Sequence, residues 1–281
     1  MLMKLKDINL RDPYILPFNG KYYMYGSRGF HYTGFDVYVS EDLENWCGPK
    51  SIFEYYEGFW GAADHWAPEV YVYNDKFVMF ASFKGKNCCR GTQALIANSP
   101  EGPFTPLGNG ALTPKDWECL DGTLYVEDGE PYMVFCHEWA QIVNGTVCRI
   151  KLSKDLKERI SEPEILWSAK EAYCFNNTDE KRFVTDGPFL LKIEDELICI
   201  WSTLCNGSYM ELISRSDNGR IDGKWSIDNK ALFTEDGGHG MIFKTFDGKY
   251  KFTYHSPNTK EEEHPCIDDI SLWDLKENNK K

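Results

Sequence analysis

Apolar and polar residues alternate in short runs along this chain, and the clearest example is the segment 120–135, LDGTLYVEDGEPYMVF. An Asp-Gly pair precedes an apolar run, a turn follows at Glu127-Asp128-Gly129, and a second run is rich in Tyr, Met, Val and Phe. Alternating runs on both sides of a turn-forming Asp-Gly pair are typical of a β-hairpin. The pattern therefore predicts two antiparallel strands in this segment.

Segments of the same kind recur along the whole chain. Related copies start at Asp12, Ala67, Asp186 and His239, at intervals of about 50 to 65 residues, a spacing typical of propeller blades. A second alternating segment follows the first four copies, as in FDVYVSEDLENW and VCRIKLSKDLKE, so each unit supplies about four strands, and the last unit is shorter. Strand pairs without any long helical period predict an all-β fold, a five-bladed β-propeller.

One ring of repeats accounts for nearly all of the 281 residues. We predict a single catalytic propeller domain over residues 1–281, in which residues from about 274 to 281 form a polar tail. Loops rich in large aromatic residues join the units at 53–66, 112–120 and 167–183. Such loops cover one face of a propeller and carry specificity. The first and last of them would close one end of the channel, which favours cleavage at chain ends.

The first residue of each repeat should lie where the innermost strand of its blade begins, beside the central channel. In chain order these residues are Asp12, Ala67, Asp121, Asp186 and His239. Three carboxylates and an imidazole from separate blades would then converge on one place. Because like charges held together are costly to a scaffold, this convergence predicts a functional site.

Composition narrows the class of partner. The formal net charge of −13 argues against nucleic acid, whose phosphates need patches of Lys and Arg, and it favours a neutral partner. The first residues, MLMKLKDINLRDPY, lack the apolar run of a signal peptide, and no segment has the roughly 18 apolar residues of a membrane span. We therefore expect a cytoplasmic protein that binds neither nucleic acid nor membrane. The sequence leaves the oligomeric state open.

Ten cysteines would allow five disulfides or ten thiols. The N-terminal sequence, the adjacent Cys88 and Cys89, and the strand settings of Cys136, Cys148 and Cys199 favour reduced and mostly buried thiols. No pair of cysteines has CxxC spacing, so a structural zinc site is not expected.

Five short motifs resemble those of a known family. They are RDPYI at 11–15, WAPEV at 66–70, LDGTLY at 120–125, TDGPFLL at 185–191 and GGHGMIF at 237–243. In this order they resemble the blade-opening motifs of glycoside hydrolase family 43, over residues 8 to about 257. The resemblance implies a five-bladed propeller and inverting hydrolysis of α-L-arabinofuranosides or β-D-xylosides, with an oligosaccharide from plant polysaccharide as the partner.

The resemblance also implies roles for three carboxylates. The general base falls on Asp12, the orienting and pKa-tuning carboxylate on Asp121, and the general acid on Asp186. The family usually has Glu at this last position, and Asp is shorter by about 1.5 Å, a misplacement that can cost around a hundredfold in rate. Glu138, in FCHEW, is a second candidate for the acid because its half-apolar neighbours would raise the pKa of its carboxyl. A third reading is a weak or inactive relative.

Inversion sets its own geometric requirement. A carboxylate deprotonates water on one side of the sugar while a carboxylic acid protonates the leaving oxygen on the other, with roughly 6.5 to 9.5 Å between them. Opposite sides of a narrow five-bladed channel would provide this gap. Asp12 should then be ionised at neutral pH, with Asp186 or Glu138 held protonated by neighbours that include the negative charge of Asp121.

Aromatic residues are candidates for stacking on a sugar. The candidates are Trp66, Trp60, Trp139 and Trp201, and Trp66 is the best placed because it lies beside the WAPE motif. Tryptophan also fills the space between blades, so each has a purely structural alternative.

Two further residues are candidates for contacts in the channel. Glu69 either faces the channel as a substrate contact or is buried in a hydrogen bond to a neighbouring blade. His239 lies among glycines that permit close backbone approach, and it would contact the sugar or, through water, a Ca²⁺ ion in the channel. Imidazole is a poor direct ligand for so hard a cation, so no cofactor is required and no metal ligand is assigned.

Other functions remain open at this point. A non-catalytic carbohydrate-binding propeller would explain the aspartate at position 186. A protein-interaction propeller is disfavoured because the WD and kelch repeat signatures are absent. A hydrolase or phosphorylase that acts on hexosides is a further alternative, although the chain shows no basic cluster to hold phosphate.

Overall fold

The computed structural model describes residues 2–29, 31–176 and 178–277, and its strands form five antiparallel sheets. Each sheet corresponds to one sequence repeat, and together they are the five blades of a β-propeller, which confirms the predicted fold. Within each blade the first strand of the repeat is innermost, and the following strands are added outward in chain order.

The blades differ in their number of strands. Blade 1 contains β1 (Leu2–Met3), β2 (Arg11–Phe18), β3 (Lys21–Ser27), β4 (Gly34–Ser40) and β5 (Trp46–Glu54). Blade 2 contains β6 (Gly61–Tyr73), β7 (Lys76–Gly85), β8 (Gly91–Ala97) and β9 (Thr105–Pro106). Blade 3 contains β10 (Cys119–Glu127), β11 (Glu130–His137), β12 (Thr146–Lys151) and β13 (Glu164–Ser168).

The last two blades complete the ring. Blade 4 contains β14 (Asp186–Ile193), β15 (Glu196–Cys205), β16 (Ser208–Ser216) and β17 (Trp225–Ile227). Blade 5 contains β18 (Gly238–Lys244), β19 (Tyr250–Ser256) and β20 (His264–Asp269). The N-terminal strand β1 pairs with β5 at the outer edge of blade 1, so blade 5 keeps three strands in the described part of the chain.

Tight turns explain why the repeats fold as hairpins. The two residues between β2 and β3, Asn19 and Gly20, have φ angles of 48° and 76°, and Asp128 and Gly129 between β10 and β11 have 53° and 75°. Positive φ at both central positions is the conformation whose twist matches paired strands, and Asn-Gly and Asp-Gly adopt it readily. The turn predicted in the segment 120–135 is therefore confirmed.

The hydrophobic core lies between neighbouring blades. Four clusters of buried side chains join blades 1, 2 and 5, blades 2 and 3, blades 3 and 4, and blades 4 and 5. A strand with a blade on either side must be apolar on both faces, and in β15 the side chains from Leu197 to Thr203 are all buried. The second strand of a repeat therefore reads as an apolar run instead of a strict alternation.

Helices are few and short in the part of the chain that the structure describes. They are α1 (Trp139–Ile142), α2 (Leu272–Glu277) and 3₁₀ turns at Leu5–Asp7, Ala169–Glu171 and Tyr173–Phe175. No helix within the described ranges is long and apolar enough to cross a bilayer.

The predicted polar tail differs from the structure in its first part. Residues 272–277 form α2, and Leu275 is fully buried against blades 4 and 5. The single apolar side chain of Leu275 is enough to pack this short helix against the blades. The high average polarity of the segment gave no sign of this contact. Residues 278–281 lie outside the described residues.

Candidate active site

In every blade the innermost strand carries, where its register shifts, one residue in the left-handed backbone region, which we call the opening residue of the blade. The φ angles are 53° at Asp12, 47° at Ala67, 55° at Asp121, 51° at Gly187 and 50° at His239. At each of these residues the strand register shifts against its neighbour. A non-glycine residue holds this conformation only where its surroundings enforce it, and such residues cluster at functional sites.

Blade 4 corrects the prediction that Asp186 is equivalent to the other four opening residues. Asp186 pairs with Ser202 across its hairpin, just as Arg11 pairs with Ser27 in blade 1. Asp186 therefore lies one residue before the left-handed position, which Gly187 occupies. The repeat concealed this offset because the same Asp-Gly pair occurs in the motifs of blades 3 and 4.

Backbone N–H groups of the opening residues are held by the preceding blade. In four of the five seams between blades, a side chain on the second strand accepts this hydrogen bond. The acceptors are Ser27 for Ala67 at 2.7 Å, Ser82 for Asp121 at 2.8 Å, Ser202 for His239 at 2.6 Å and His255 for Asp12 at 3.3 Å. These bonds satisfy buried donors and fix the strained turns that carry the acidic residues.

The turns surround a cavity of ≈ 170 Å³. Seven of the residues that the sequence singled out contribute to its lining, namely Asp12, Trp66, Asp121, Glu138, Trp139, Asp186 and His239. Side chains from all five blades thus meet in one cavity, as the repeat pattern predicts. Lining residues that sequence reasoning missed include Arg11, Ser27, Leu120 and Tyr209.

Asp12 is a buried carboxylate surrounded by groups that favour its charge. Its Oδ1 lies 3.2 Å from Nδ1 of His239, and its Oδ2 accepts a hydrogen bond of 2.5 Å from the hydroxyl of Ser27. Burial alone would raise the pKa of Asp12, but His239, Arg11 and Ser27 together lower it to about 2. The carboxyl is therefore ionised at neutral pH.

His255 supports Asp12 by accepting a hydrogen bond from its backbone N–H. Because its Nδ1 accepts the Asp12 N–H, the ring is neutral with its proton on Nε2, 3.3 Å from Oδ1 of Asn258. Burial lowers the pKa of His255 to about 3, which keeps the ring neutral.

The surroundings of Asp121 disfavour the ionised form of its carboxyl, unlike those of Asp12. Burial and the nearby charge of Asp12 raise its pKa to about 8, although the N–H of Gly187 donates a hydrogen bond of 3.0 Å to its Oδ2. Nδ1 of His239 lies 3.8 Å from the same oxygen. The imidazole thus faces both Asp12 and Asp121.

Asp186 meets the requirement for a proton donor at neutral pH. Burial and the charge of Asp121 raise its pKa to about 7, while His239 and a 3.1 Å hydrogen bond from the Tyr209 hydroxyl act in the opposite direction. Asp121 and Asp186 repel each other, so the two titrate as a pair that retains protons where Asp12 is already ionised.

Glu138 lies at the edge of the cavity in an ion-pair network. Arg90 contacts its Oε2 through Nη1 and lies 2.6 Å from Oδ2 of Asp64 through Nη2. Burial raises the pKa of Glu138, whereas the adjacent charge of Arg90 lowers it. A carboxylate in direct contact with a guanidinium is better suited to holding that cation than to donating a proton.

Trp66 and Trp139 line the cavity, and each has an arginine over its ring. The guanidinium carbon of Arg90 lies 4.3 Å from the Trp66 ring centroid, and that of Arg182 lies 5.1 Å from the Trp139 centroid. Arg182 belongs to the loop 167–183, so this loop reaches the cavity through Trp139. Each arginine thus makes a cation–π contact with its ring.

The other tryptophan candidates are structural. Trp201 is fully buried and donates a hydrogen bond of 2.9 Å to Ser214. Trp60 donates one of 2.5 Å to Gln93. Neither is part of the cavity lining.

Glu69 does not line the cavity. It is instead buried in hydrogen bonding between blades, which is the second of the two alternatives that the sequence left open. The hydroxyl of Tyr71 donates a hydrogen bond to Oε2 of Glu69 and also lies 2.7 Å from the hydroxyl of Thr123 in blade 3. Burial raises the pKa of Glu69 to about 7. Its alternation along β6 turns it toward the neighbouring blade, away from the cavity.

The missed residues carry little local sequence signal. Tyr209 is the second residue of the third strand of blade 4, and its hydroxyl reaches Asp186 on the first strand. Arg90 comes from blade 2 but pairs with Glu138 of blade 3. Arg11 is the exception, because it directly precedes Asp12 in the RDP motif and could have been noted there.

A directly bound metal does not fit these residues. Within the described ranges no three or more His, Cys, Asp or Glu side chains are arranged to hold one. The imidazole of His239 is engaged with Asp12 and Asp121, and it is a poor ligand for calcium.

Comparisons with known proteins agree with this geometry. The family model "Glycosyl hydrolases family 43" matches residues 6–274. Among solved structures, an endo-arabinase from Bacteroides thetaiotaomicron VPI-5482 is 36% identical with a TM-score of 0.90, and the match covers 96% of this chain and 97% of that chain. A search of curated proteins returned no match.

Two more distant structures share the fold. An endo-1,4-beta-xylanase from the same Bacteroides strain is 24% identical with a TM-score of 0.80, covering 98% of this chain and 94% of that chain. An alpha-L-arabinofuranosidase from Lactobacillus brevis is 16% identical with a TM-score of 0.77, covering 96% and 94%. With a family match over nearly its whole length and a propeller cavity lined by acids, the chain belongs to family 43 of the glycosyl hydrolases.

Proposed function

We propose that this glycoside hydrolase cleaves α-L-arabinofuranosides, β-D-xylosides or both, in oligosaccharides of plant polysaccharides, with inversion at the anomeric carbon. One observation above all supports the proposal. An ionised carboxylate, Asp12, and a carboxyl whose pKa is raised to about 7, Asp186, line the same cavity. Hydrolysis by inversion needs one group of each kind.

Asp12 is the general base in this proposal. It accepts a proton from a water molecule as the water oxygen attacks the anomeric carbon on the face opposite the leaving group. Its low pKa keeps the carboxylate available throughout the neutral range.

Asp186 is the general acid. It gives its proton to the glycosidic oxygen as the bond from that oxygen to the anomeric carbon breaks. The leaving sugar departs as an alcohol, and the retained sugar carries the hydroxyl on the opposite face. Exchange with solvent then returns a proton to Asp186 and removes one from Asp12.

Asp121 and Glu138 have supporting roles. Asp121 disfavours the ionised form of Asp186, because the two neighbouring carboxyls repel each other when both are charged. We favour Asp186 over Glu138 as the acid, because Glu138 is in direct contact with the Arg90 guanidinium, whereas Asp186 accepts a hydrogen bond from the neutral hydroxyl of Tyr209.

An arabinoside is the first substrate to test. The relative that is 36% identical is an endo-arabinase, and this similarity supports an arabinan-derived substrate for this chain. Cleavage within the chain and cleavage at its end are told apart by the first products formed from linear arabino-oligosaccharides. Trp66 and Trp139 would stack on sugar faces, and His239 would contact the sugar bound beside Asp12.

We also propose a cytoplasmic enzyme that needs no metal. All ten cysteines are free thiols in the structure, which supports a reducing compartment. A calcium ion held near His239 through water remains a prediction, and dialysis against a chelator followed by an assay tests it. The retained rate that we expect would leave such an ion without a role in cleavage.

The central test compares the wild type with Asp12→Asn on aryl α-L-arabinofuranoside and aryl β-D-xyloside. Loss of the base should reduce kcat by about a thousandfold on the preferred substrate. An undiminished rate in the variant would reject Asp12 as base. Binding of pentose oligosaccharides without any turnover by the wild type would instead favour a carbohydrate-binding propeller.

A further inference from the structure

The innermost strand of blade 2 begins with a bulge. Gly61, its first residue, lies opposite Gly85 of β7. Trp66 lies opposite Ser82, so β6 has two more residues than β7 between the two pairs. The extra length is taken up around Asp64, whose φ of 51° is in the left-handed region. A bulge changes the direction of the side chains beside it, and bulges of this kind often lie next to active sites.

Two side chains of the bulge serve the rim of the cavity. Oδ2 of Asp64 lies 2.6 Å from Nη2 of Arg90. The guanidinium of Arg90 lies over the ring of Trp66, and Trp66 lines the cavity. The conformation of the bulge therefore determines where the Trp66 ring and its arginine are placed.

The residue between these two, His65, lies in a cage of aromatic rings and is only 2% exposed. The centroids of five rings lie 5.0 to 6.5 Å from that of the imidazole, namely those of Phe35, Phe53, Tyr55, Phe59 and Phe83. A phenylalanine would fill this place with a ring of similar size. Histidine adds the cost of burying two polar nitrogens, so its presence needs an explanation in hydrogen bonding.

One ring nitrogen of His65 supplies that explanation. Nε2 lies 2.9 Å from the carbonyl oxygen of Gly61, whereas Nδ1 is buried without a hydrogen-bond partner among the described residues. Because a carbonyl only accepts, the proton is on Nε2 and the ring is neutral. Burial lowers the pKa of His65, which agrees with a neutral ring. The Nε2–H thus ties one end of the bulge to the other.

Gly61 is itself held by the cage. A Cβ at this position would lie 2.5 Å from Cβ of Phe83 and 2.9 Å from the ring of Phe59, so its backbone packs directly against both rings. The carbonyl that accepts from His65 is therefore a fixed point, and the hydrogen bond sets the bulge relative to it.

We propose that His65 is a positioning residue for substrate binding, which holds the bulge that places Asp64 against Arg90 and Trp66 in the cavity. The Nε2–H donor performs this task, while the ring supplies packing. The effect on substrate rests on the proposed function, in which Trp66 stacks on a sugar. The anchoring of the bulge does not rest on it.

Two substitutions separate the donor from the ring. His65→Phe keeps a ring in the cage and removes the donor, so KM for an arabino-oligosaccharide should rise several-fold while kcat changes less. His65→Gln loses the ring but keeps an N–H donor at about the distance of Nε2 from the backbone. It should have a lower Tm than the wild type and nearly the same KM.

Two further variants exclude a general loss of packing. Phe35→Leu removes a ring from the cage on β4, outside the bulge, and should lower Tm without changing KM. Combining His65→Phe with Arg90→Ala should give the KM of Arg90→Ala alone, because both changes act on the Trp66 ring and their effects are not independent.

Equal KM values for the wild type and His65→Phe would overturn the proposal. A KM raised as much in His65→Gln as in His65→Phe would also overturn it, because the donor would then be without effect. If His65→Phe does not fold, His65→Gln decides alone: a wild-type KM supports the proposal and a raised KM rejects it.

If the wild type hydrolysed no substrate, the proposed function would fail, and hydrogen exchange would still decide the anchoring. The backbone amides of residues 61–66 should exchange faster in His65→Phe than in Phe35→Leu. Equal exchange rates over this segment in the two variants would show that His65 does not anchor the bulge.

Discussion

The hydroxyl of Tyr209 donates a hydrogen bond of 3.1 Å to Oδ2 of Asp186. A donor of this kind stabilises the charged form of a carboxyl and lowers its pKa. It also fixes the orientation of a side chain that has to reach the glycosidic oxygen. The ring of Tyr209 is itself held against His255, with the centroids 5.5 Å apart.

Removal of this hydroxyl by Tyr209→Phe should therefore move the alkaline limb of the profile of kcat against pH to higher pH. The pKa of Asp186 rises when the donor is lost, and kcat should fall by roughly tenfold because the acid is less well oriented. Profiles of kcat against pH measure both effects.

Tyr254→Phe is the matched control, since Tyr254 donates a 2.8 Å hydrogen bond to Asp268 in blade 5 and does not line the cavity. An alkaline limb that moves equally in both variants would contradict the role given to Tyr209.

His239 should control the acidic limb of the profile of kcat against pH. Its imidazole is the strongest of the groups that lower the pKa of Asp12. In His239→Asn the pKa of Asp12 should rise, so the acidic limb should move to higher pH. Asparagine suits the test because it tolerates the φ of 50° at this position. His264→Asn, on the outer strand of blade 5, is the control, and an unchanged acidic limb in His239→Asn would count against the assignment.

Arg90 should affect substrate binding more than chemistry. It contacts Glu138 and Asp64 and lies over the ring of Trp66. Arg90→Ala would release the Trp66 ring, so KM should rise several-fold while kcat changes less. Steady-state kinetics on an arabino-oligosaccharide provides the measurement.

Arg149→Ala removes a peripheral ion pair with Glu164 and serves as the control for Arg90→Ala. A loss in kcat with an unchanged KM would contradict the role proposed for Arg90.

Stability should fall as pH rises from about 5 to 9. Burial raises the pKa of Glu211 to about 8 and that of Glu69 to about 7. Above the ordinary glutamate pKa the unfolded chain has lost these protons while the folded chain keeps them, so the free energy of unfolding decreases with pH until the folded pKa is passed. We expect Tm to fall by at least about 5 °C over this range.

Glu211→Gln isolates this effect. The amide keeps an acceptor for the hydroxyl of Ser202 and the N–H of Gly240, but it cannot ionise. The slope of Tm against pH should therefore be smaller in Glu211→Gln than in the wild type. A slope that is flat or rising in the wild type would show that these carboxyls are not held protonated.

The sequence was sufficient to predict the blades and the convergence of acids. Each repeat is a local pattern of strand, turn and strand, so the number of blades and the placing of Asp12, Asp121 and His239 follow from spacing alone. The side chains of these residues reach one cavity because each blade delivers its first strand to the same channel.

The finer arrangement depends on contacts between blades, which no local pattern encodes. The offset of Asp186 is a matter of register across the hairpin, and the sequence shows the same Asp-Gly pair at positions 121 and 186. Arg90 meets Glu138 only where blade 2 packs against blade 3. The sequence left two positions open for Glu69, the channel or the interface with a neighbouring blade. Alternation predicts on which face of the strand a side chain lies, but it does not predict what that face contacts.

The assignment of Asp186 as the acid and Asp12 as the base is tested most directly by the leaving group. For aryl arabinofuranosides with leaving groups of increasing acidity, we predict that Asp186→Ala loses activity on the poor leaving groups and regains it on the good ones, which need no proton. Asp12→Ala should lose activity equally on all of them, and Glu138→Ala should show no dependence on the leaving group beyond that of the wild type. A strong dependence in Glu138→Ala, with none in Asp186→Ala, would contradict the account.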